Sequence, residues 1–332
     1  MRAIRALSAG GPEVLEVVDL PDLVAGPGEL VVHVAAAGVN FIDTYQRSGL
    51  YPMPFPYTPG LEGAGTVMSV GWNPSDSSPG GFVVGERVAW DRAAGSYAEQ
   101  VVVRADRALH VPVGVADRTA AALPLQGITA HYLATSTFPI AAGQDVLIHA
   151  AAGGVGLLLT QLAVARGARV IGTVSTPAKA VLAREAGAAD VIQYTEMVDL
   201  ARDLPAAVRD LTNGAGVHVA YDGVGKDTFD GSLAAIRVRG MLVVFGASSG
   251  PVPAVELQRL NAAGSVFVTR PKIDDYTATR DELNWRANEL FSAVLAGTLR
   301  VRIGATYPLS EAAEAHRALE SRATTGKVLL IP

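Results

Sequence analysis

The chain contains no cysteine. That excludes disulfides, thiolate nucleophiles and every zinc site built on sulfur ligands. Histidine is scarce too: His33, His110, His131, His149, His218 and His316 are the only six, and none stands in a close ligand spacing such as H-x-x-x-H. No bound metal is expected. Charged residues make up only 18% of the chain, and the net charge of -5 gives no basic surplus for nucleic acid or acidic lipid. Aromatic and basic residues do not cluster together in the chain, which disfavours an RNA-binding surface. No apolar run reaches membrane-spanning length, and the opening MRAIRALSAGGPEVLEVVDL turns acidic too early for a signal peptide. A cytoplasmic protein with no membrane partner is expected. G-x-S-x-G is absent, and no Ser-His-Asp arrangement stands out.

What is present is a large apolar fraction, 49% of 332 residues, enough for two domains with separate cores. The most informative stretch is Asp145 to Arg166, DVLIHAAAGGVGLLLTQLAVAR. Val146-Leu147-Ile148 suits a buried parallel strand, and Leu157 to Ala163 repeats apolar residues at helical spacing without proline. Between them lies a loose A-x-G-x-x-G pattern at Ala151, Gly153 and Gly156. Strand, glycine turn and helix together predict a dinucleotide-binding turn. Gly153 would admit a diphosphate to the backbone, and Gly156 would let helix and strand pack closely.

Up to about Leu123 the chain reads as short strands between turns. Candidates are Val14–Val18, Leu30–Ala35, Ala64–Val70, Arg87–Ala89 and Tyr97–Val103, with turns at Gly11-Pro12, Pro27-Gly28, Pro59-Gly60 and Asn73-Pro74. Asn73 to Gly81 is the most loop-like segment. From Pro124 the grammar changes to alternating strands and helices. Strands are expected at Val146–His149, Val170–Val174, Val191–Tyr194, Val217–Tyr221, Leu242–Phe245 and Val266–Thr269. Helices are expected at Gly154–Arg166, Pro177–Ala186, Leu200–Leu211 and Thr228–Arg237, with Thr176 capping the second. This predicts a doubly wound parallel sheet. An amphipathic segment around Glu282–Ala296 and short strands near Arg300–Ile303 and Val328–Ile331 follow. The expected division is a β-rich unit from 1–123 and 267–332 around a nucleotide-binding unit at 124–266, with the ligand in the cleft between them.

In such sheets an acidic residue about twenty positions after the turn usually grips the ribose 2′-OH of NAD. Here that place reads Ile171-Gly172-Thr173-Val174-Ser175-Thr176, followed by Lys179. Ser175 and Lys179 suit a 2′-phosphate instead, so NADPH is the expected cofactor.

Several segments, in order from end to end, resemble the zinc-independent quinone oxidoreductases of the medium-chain dehydrogenase/reductase superfamily, the family that includes zeta-crystallin. They are Gly10–Leu15, Asn40–Tyr51 (NFIDTYQRSGLY), Pro59–Gly65, His149–Gly156, Phe245–Gly250 and Ser321–Gly326. Zinc-dependent relatives carry Gly-His-Glu and cysteine ligands, whereas this chain has Gly60-Leu61-Glu62 and no cysteine. The resemblance implies an α/β protein: a Rossmann domain and a GroES-like domain formed by both chain ends. It also implies hydride transfer from NADPH to a quinone. A quinone spreads the incoming negative charge over its own conjugated system, so the metal needed to stabilise an isolated oxyanion is dispensable.

Carried over residue by residue, the resemblance implies that Asn40, Tyr45 and Tyr51 line the nicotinamide and quinone cleft. Gln126 and Thr129 would sit beside the nicotinamide ribose, although some relatives have lysine where Gln126 stands. Ala152, Gly153, Gly154, Val155 and Gly156 would cradle the diphosphate, and Ser175, Lys179, Tyr194 and Arg322 would surround the 2′-phosphate. Phe245, Gly246, Ala247 and Ser248, with Val268, Thr269 and Arg270, would flank the nicotinamide half. Asp43 and Glu62 are read as acceptors for loop amides rather than a catalytic pair. Homodimers or homotetramers are expected. Two other readings remain open at this stage: an NADPH-dependent reductase of activated alkenes, and an NADPH- or RNA-binding crystallin-like protein without turnover.

Overall fold

A computed structural model of the chain describes residues 1–71 and 81–332. Apart from Gly81, the loop expected at Asn73–Gly81 lies outside the described residues, as does the Asn73-Pro74 turn. β1 (Arg2–Ala6), absent from the sequence expectation, pairs antiparallel with β2 (Leu15–Asp19). β3 (Glu29–Val39) is longer than expected and leads into α1 (Phe41–Arg47). β4 (Glu62–Val70), β5 (Arg87–Trp90), β6 (Gln100–Arg104) and β7 (Leu109–His110) follow. Next come α2 (Asp117–Ala122) and α3 (Pro124–Tyr132).

The alternating region opens with β8 (Asp145–Ile148) and α4 (Gly154–Ala165), then β9 (Arg169–Val174) and α5 (Pro177–Glu185). β10 (Asp190–Gln193), α6 (Leu200–Leu211), β11 (Val217–Asp222) and α7 (Phe229–Ala235) continue it. β12 (Ile236–Val244), α8 (Leu257–Ala262) and β13 (Phe267–Thr269) close it. The tail holds α9 (Arg280–Leu295), β14 (Ile303–Pro308), α10 (Ala312–Glu320) and β15 (Lys327–Ile331).

Two compact units result, 1–128 with 279–332, and 129–278. The expected boundaries at 123/124 and 266/267 both fall earlier. The first observed boundary lies inside α3, and the second follows β13, which belongs to the parallel sheet and carries its unit with it.

The unit of residues 129–278 is the expected doubly wound sheet, all parallel, in the order β10-β9-β8-β11-β12-β13. Strands covered on both faces need apolar residues throughout, and Val146, Leu147 and Ile148 are fully buried. Thr176 caps α5 by accepting from the Lys179 amide at 3.3 Å, with Pro177 at the first helical position. One expectation is corrected: the helix read over Thr228–Arg237 stops at Ala235, and β12 starts at Ile236 rather than Leu242. Arg239 is left-handed (φ 59°) within β12, and the pairing with β11 shifts register between Ile236 and Met241.

In the other unit β1 and β2 form a separate two-stranded sheet, and the remaining described strands form a mixed sheet, β14-β15-β3-β4-β5-β7, with β6 also on β3. β15 runs antiparallel to β3, pairing Val328 with Val39, while β4 pairs Glu62 with Gly38. The C-terminal strand and the start of β4 therefore flank the end of β3. Trp90, Tyr97 and Phe82 anchor this unit's core.

Candidate active site

β8 lies between β9 and β11, where the strand order reverses, so the turn that follows it occupies the switch point at which such sheets bind ligands. Ala150 takes a left-handed conformation (φ 50°), and Gly153, extended, begins α4 with no side-chain cap. The turn is tied down by Ala151 N–H to Thr173 O at 3.0 Å and by Gly153 N–H to Ala150 O at 2.8 Å. A Cβ on Gly156 would stand 2.8 Å from Ala151 Cα and closer still to the Ala150 carbonyl oxygen. Only glycine lets α4 approach β8 this closely.

Beneath the turn, His149 is buried between Thr173 Oγ1 and Ser232 Oγ, each 2.9 Å from a ring nitrogen. Ser232 Oγ donates to Asp222 Oδ2 at 2.8 Å. Asp222 Oδ1 accepts from the Val224 and Gly225 amides, and Thr228 Oγ1 lies against both carboxylate oxygens. A serine, a histidine and an aspartate thus meet, which the sequence did not suggest. The order is wrong for a nucleophile: serine stands in the middle, gives its proton to the carboxylate and is fully buried. The cluster ties the ends of β8, β9 and β11 together. Burial lowers the His149 pKa, in keeping with a neutral ring.

Around the turn, Ala152 is buried, while Gly153, Gly154 and Val155 are partly exposed. Ser175 follows β9, and its carbonyl accepts from Thr195 Oγ1 at 2.9 Å, which brings the Tyr194 turn beside it. Lys179 is half-buried one turn into α5, and no carboxylate lies in the Ser175–Lys179 stretch. Phe245, Gly246, Ala247 and Ser248 follow β12. A Cβ on Gly223, just past the end of β11, would meet the Phe245 ring. Arg270 Nη1 donates to Gly246 O at 3.3 Å, which joins that loop to Val268 and Thr269 of β13. Thr129, buried in α3, opens the same unit.

Asn40, Tyr45, Tyr51, Gln126 and Arg322 belong to the other unit. Arg322 follows α10 in a left-handed conformation (φ 59°) and is exposed. The Tyr45 and Tyr51 rings meet edge to face at 5.3 Å, with Phe41 6.2 Å from Tyr45. Tyr51 N–H donates to Tyr45 O at 3.0 Å, which holds the pair on one turn.

Asn40 sits where β3, β4 and β15 deliver three side chains to one point. Its Nδ2 donates to Glu62 Oε2 at 2.8 Å and Gly38 O at 3.3 Å; its Oδ1 accepts from Lys327 Nζ at 2.8 Å and Gln126 Nε2 at 3.2 Å. Lys327 also pairs with Glu62, both nearly without solvent exposure. Both amide hydrogens and both oxygen lone pairs of Asn40 are thereby engaged inside the protein. Burial lowers the Lys327 pKa, opposed by Glu62.

Asp43 and Glu62 take backbone amides, as expected: Asp43 Oδ2 from Asn40 N–H and Glu62 Oε1 from Leu125 N–H, both at 2.8 Å. Sequence reasoning missed Lys327, Tyr97, Arg47 and His316. Lys327 reaches Asn40 and Tyr97 reaches Asp43 directly, whereas His316 contacts Tyr97 and Arg47 contacts His316; no local pattern marks contacts across such sequence separations.

Comparison with known proteins follows the same division. Residues 26–113 match the alcohol dehydrogenase GroES-like domain, and residues 154–282 match the zinc-binding dehydrogenase family. The quinone oxidoreductase of Pseudomonas aeruginosa is 44% identical over 100% of this chain and 99% of its own. The Escherichia coli quinone oxidoreductase solved with NADPH superposes with a TM-score of 0.95 at 43% identity, covering both chains fully. A mycobacterial protein solved with NADPH gives 0.95 at 50% identity, again over both full chains. A 2-haloacrylate reductase of a Burkholderia species is 40% identical over 92% of each chain. The chain belongs to the quinone oxidoreductase family of the medium-chain dehydrogenase/reductase superfamily.

Proposed function

We propose that the protein is an NADPH-dependent quinone reductase that works without a metal. The full-length similarity to quinone oxidoreductases, one of them solved with NADPH, carries this reading. The chain's own residues fit the cofactor. Gly153 leaves the backbone of the turn without a side chain, Gly156 lets α4 pack against β8, and the uncapped start of α4 presents first-turn amides to a diphosphate. Bound there, the nicotinamide supplies the hydride, so the chain needs no redox group of its own.

Ala152, Gly153, Gly154, Val155 and Gly156 cradle the diphosphate in this proposal. Ser175, Lys179, Tyr194 and Arg322 hold the 2′-phosphate, and the missing carboxylate after β9 spares it repulsion. Gln126, Thr129, the Phe245–Ser248 loop and Val268–Arg270 orient the nicotinamide half. Tyr45 donates a hydrogen bond to the quinone oxygen as negative charge develops there, with Tyr51 packed against its edge. Asn40, fully engaged within the protein, acts by holding Gln126 and the start of α1 rather than by touching the substrate.

The test is NADPH oxidation by purified protein across ortho- and para-quinones; no turnover with any of them overturns the reading. The similarity to a 2-haloacrylate reductase favours one second reading, reduction of an activated alkene. A higher kcat/KM for enones or haloacrylates than for every quinone would reassign the acceptor. No helix among the described residues is long and apolar enough to cross a membrane. We place the protein in the cytoplasm as a homodimer or homotetramer. The edge strand β13, with Phe267 and Val268 exposed, offers backbone for self-pairing, and sedimentation of the purified chain checks it.

A further inference from the structure

Two side-chain amides meet beside the buried Lys327–Glu62 pair, and their orientations are not independent. A carboxylate only accepts and an ammonium only donates. Asn40 touches both, so its Nδ2 must face Glu62 and its Oδ1 must face Lys327. Gln126 in turn meets Asn40 through that same Oδ1, at 3.2 Å, and so must turn its Nε2 inward. The consequence lies at the other end of the Gln126 amide. Its Oε1 is buried and has no hydrogen-bond partner among the described residues. A buried carbonyl oxygen left without a donor is unfavourable, and a donor on a bound molecule relieves it.

We infer that Lys327, with Glu62, is a positioning device that sets the hydrogen-bond polarity of Gln126, presenting an acceptor to a hydroxyl or amide N–H of the bound dinucleotide. Nothing local to Gln126 fixes that polarity. Were Asn40 free to flip, Gln126 could flip with it and present a donor instead. The ion pair, delivered from β4 and β15, removes that freedom. Gly38 makes room for it, since a Cβ there would stand 2.7 Å from Lys327 Cε and against the Glu62 carboxylate. The inference rests on the NADPH reading above.

Removing one partner of a buried ion pair leaves the other charge unpaired and threatens the fold, so the test removes both charges with similar shapes, Glu62→Gln with Lys327→Met. NADPH binding is measured by fluorescence titration, and the melting temperature beside it, for four proteins: wild type, this double variant, Gln126→Ala, and the triple variant. Gln126→Ala is expected to weaken NADPH by about tenfold, the loss of one buried hydrogen bond. The double variant is expected to weaken it similarly while melting within a few degrees of wild type. The triple variant should bind no worse than Gln126→Ala alone, because the pair acts through Gln126. Independent, multiplying losses would overturn the inference, as would unchanged affinity in the double variant. If wild type does not bind NADPH, the proposed cofactor falls and this inference with it. Wild-type binding with multiplying losses removes only the inference.

Discussion

The Tyr97 hydroxyl donates to Asp43 Oδ2 at 2.8 Å, and the hydroxyl oxygen lies 3.1 Å from His316 Nε2. Arg47 can only donate, and its Nη1 is 3.1 Å from His316 Nδ1, so that nitrogen accepts and the ring proton sits on Nε2. Direction is therefore fixed along the chain: Arg47 donates to His316, His316 to Tyr97, and Tyr97 to Asp43. Glu320 anchors Arg47 at the partly exposed end, with its Oε1 2.5 Å from Nη2. The other end is the first turn of α1, which carries Tyr45.

Burial pushes the Asp43 carboxyl up to about 7 and, aided by Arg47, holds His316 down at about 3. The two act on stability with opposite signs. A raised carboxyl contributes stability that is present below its unfolded value of about 4 and is lost as pH rises through about 7. A depressed histidine contributes stability that is present above about 6.5 and is lost as pH falls toward about 3. Between about pH 4 and 6.5 they offset each other. Asp43→Asn should unmask His316, so that stability climbs with pH from about 3 to 6.5. His316→Gln should unmask Asp43, so that stability declines from about 4 to 7. Each change in stability amounts to no more than about 5 kcal/mol. Urea midpoints across this range check it; two variant profiles running parallel to wild type would refute the opposed pair.

The glycines of the turn should separate folding from binding. Alanine at Gly156 gains helix propensity yet would collide with the backbone of Ala150 and Ala151. We expect Gly156→Ala to lower stability by about 1–3 kcal/mol, because α4 must move off β8. At Gly153 the added Cβ meets only Ala150 O, at 3.1 Å, and φ is -78°. Gly153→Ala should therefore fold with a near-normal melting temperature and lose NADPH affinity. Equal stability losses in both would remove the distinction.

The aromatic pair on α1 gives a kinetic prediction. Tyr45→Phe keeps the ring against Phe41 and Tyr51 and removes only the hydroxyl. If that hydroxyl supports charge developing on the acceptor, kcat should fall about tenfold or more while NADPH affinity stays unchanged. Stopped-flow NADPH oxidation with one quinone separates the two. An unchanged kcat would confine Tyr45 to packing.

The parallel sheet was legible because its signals are local. Val146–Ile148 alternates with nothing polar, Thr176-Pro177 starts a helix, and Leu200–Leu211 has the same limits in the sequence and in the structure. β12 was misplaced because the helix was carried through Arg237 and the strand begun at Leu242, whereas Ile236 to Val244 form one strand that includes the left-handed Arg239. α1 was missed for another reason: Asn40–Arg47 is short, and its capping depends on Asp43 reaching back to the Asn40 amide. The cluster around Asn40 was out of reach altogether. Lys327 lies on the last strand, and only the pairing of β15 with β3 brings it to Asn40 and Glu62. Sequence patterns report what a segment does to its neighbours, and these contacts join segments hundreds of residues apart.

Cofactor choice is the prediction most directly tied to sequence. Lys179 is half-buried in the first turn of α5, whose amide ladder is already started by Thr176. Its backbone therefore serves the helix, and its side chain is what a substitution would test. In the same stretch, the Ser175 carbonyl accepts from Thr195 Oγ1. A charge-assisted hydrogen bond to a phosphate contributes about 1.5–3 kcal/mol. Lys179→Ala should thus weaken NADPH by about tenfold or more and NADH by less than about twofold, since NADH lacks the phosphate. Alanine also suits a helix interior, so the melting temperature should hold. Parallel fluorescence titrations with the two cofactors decide it. Equal losses would mean that Lys179 does not read the 2′-phosphate and that the missing carboxylate after β9 reflects something other than a preference for NADPH.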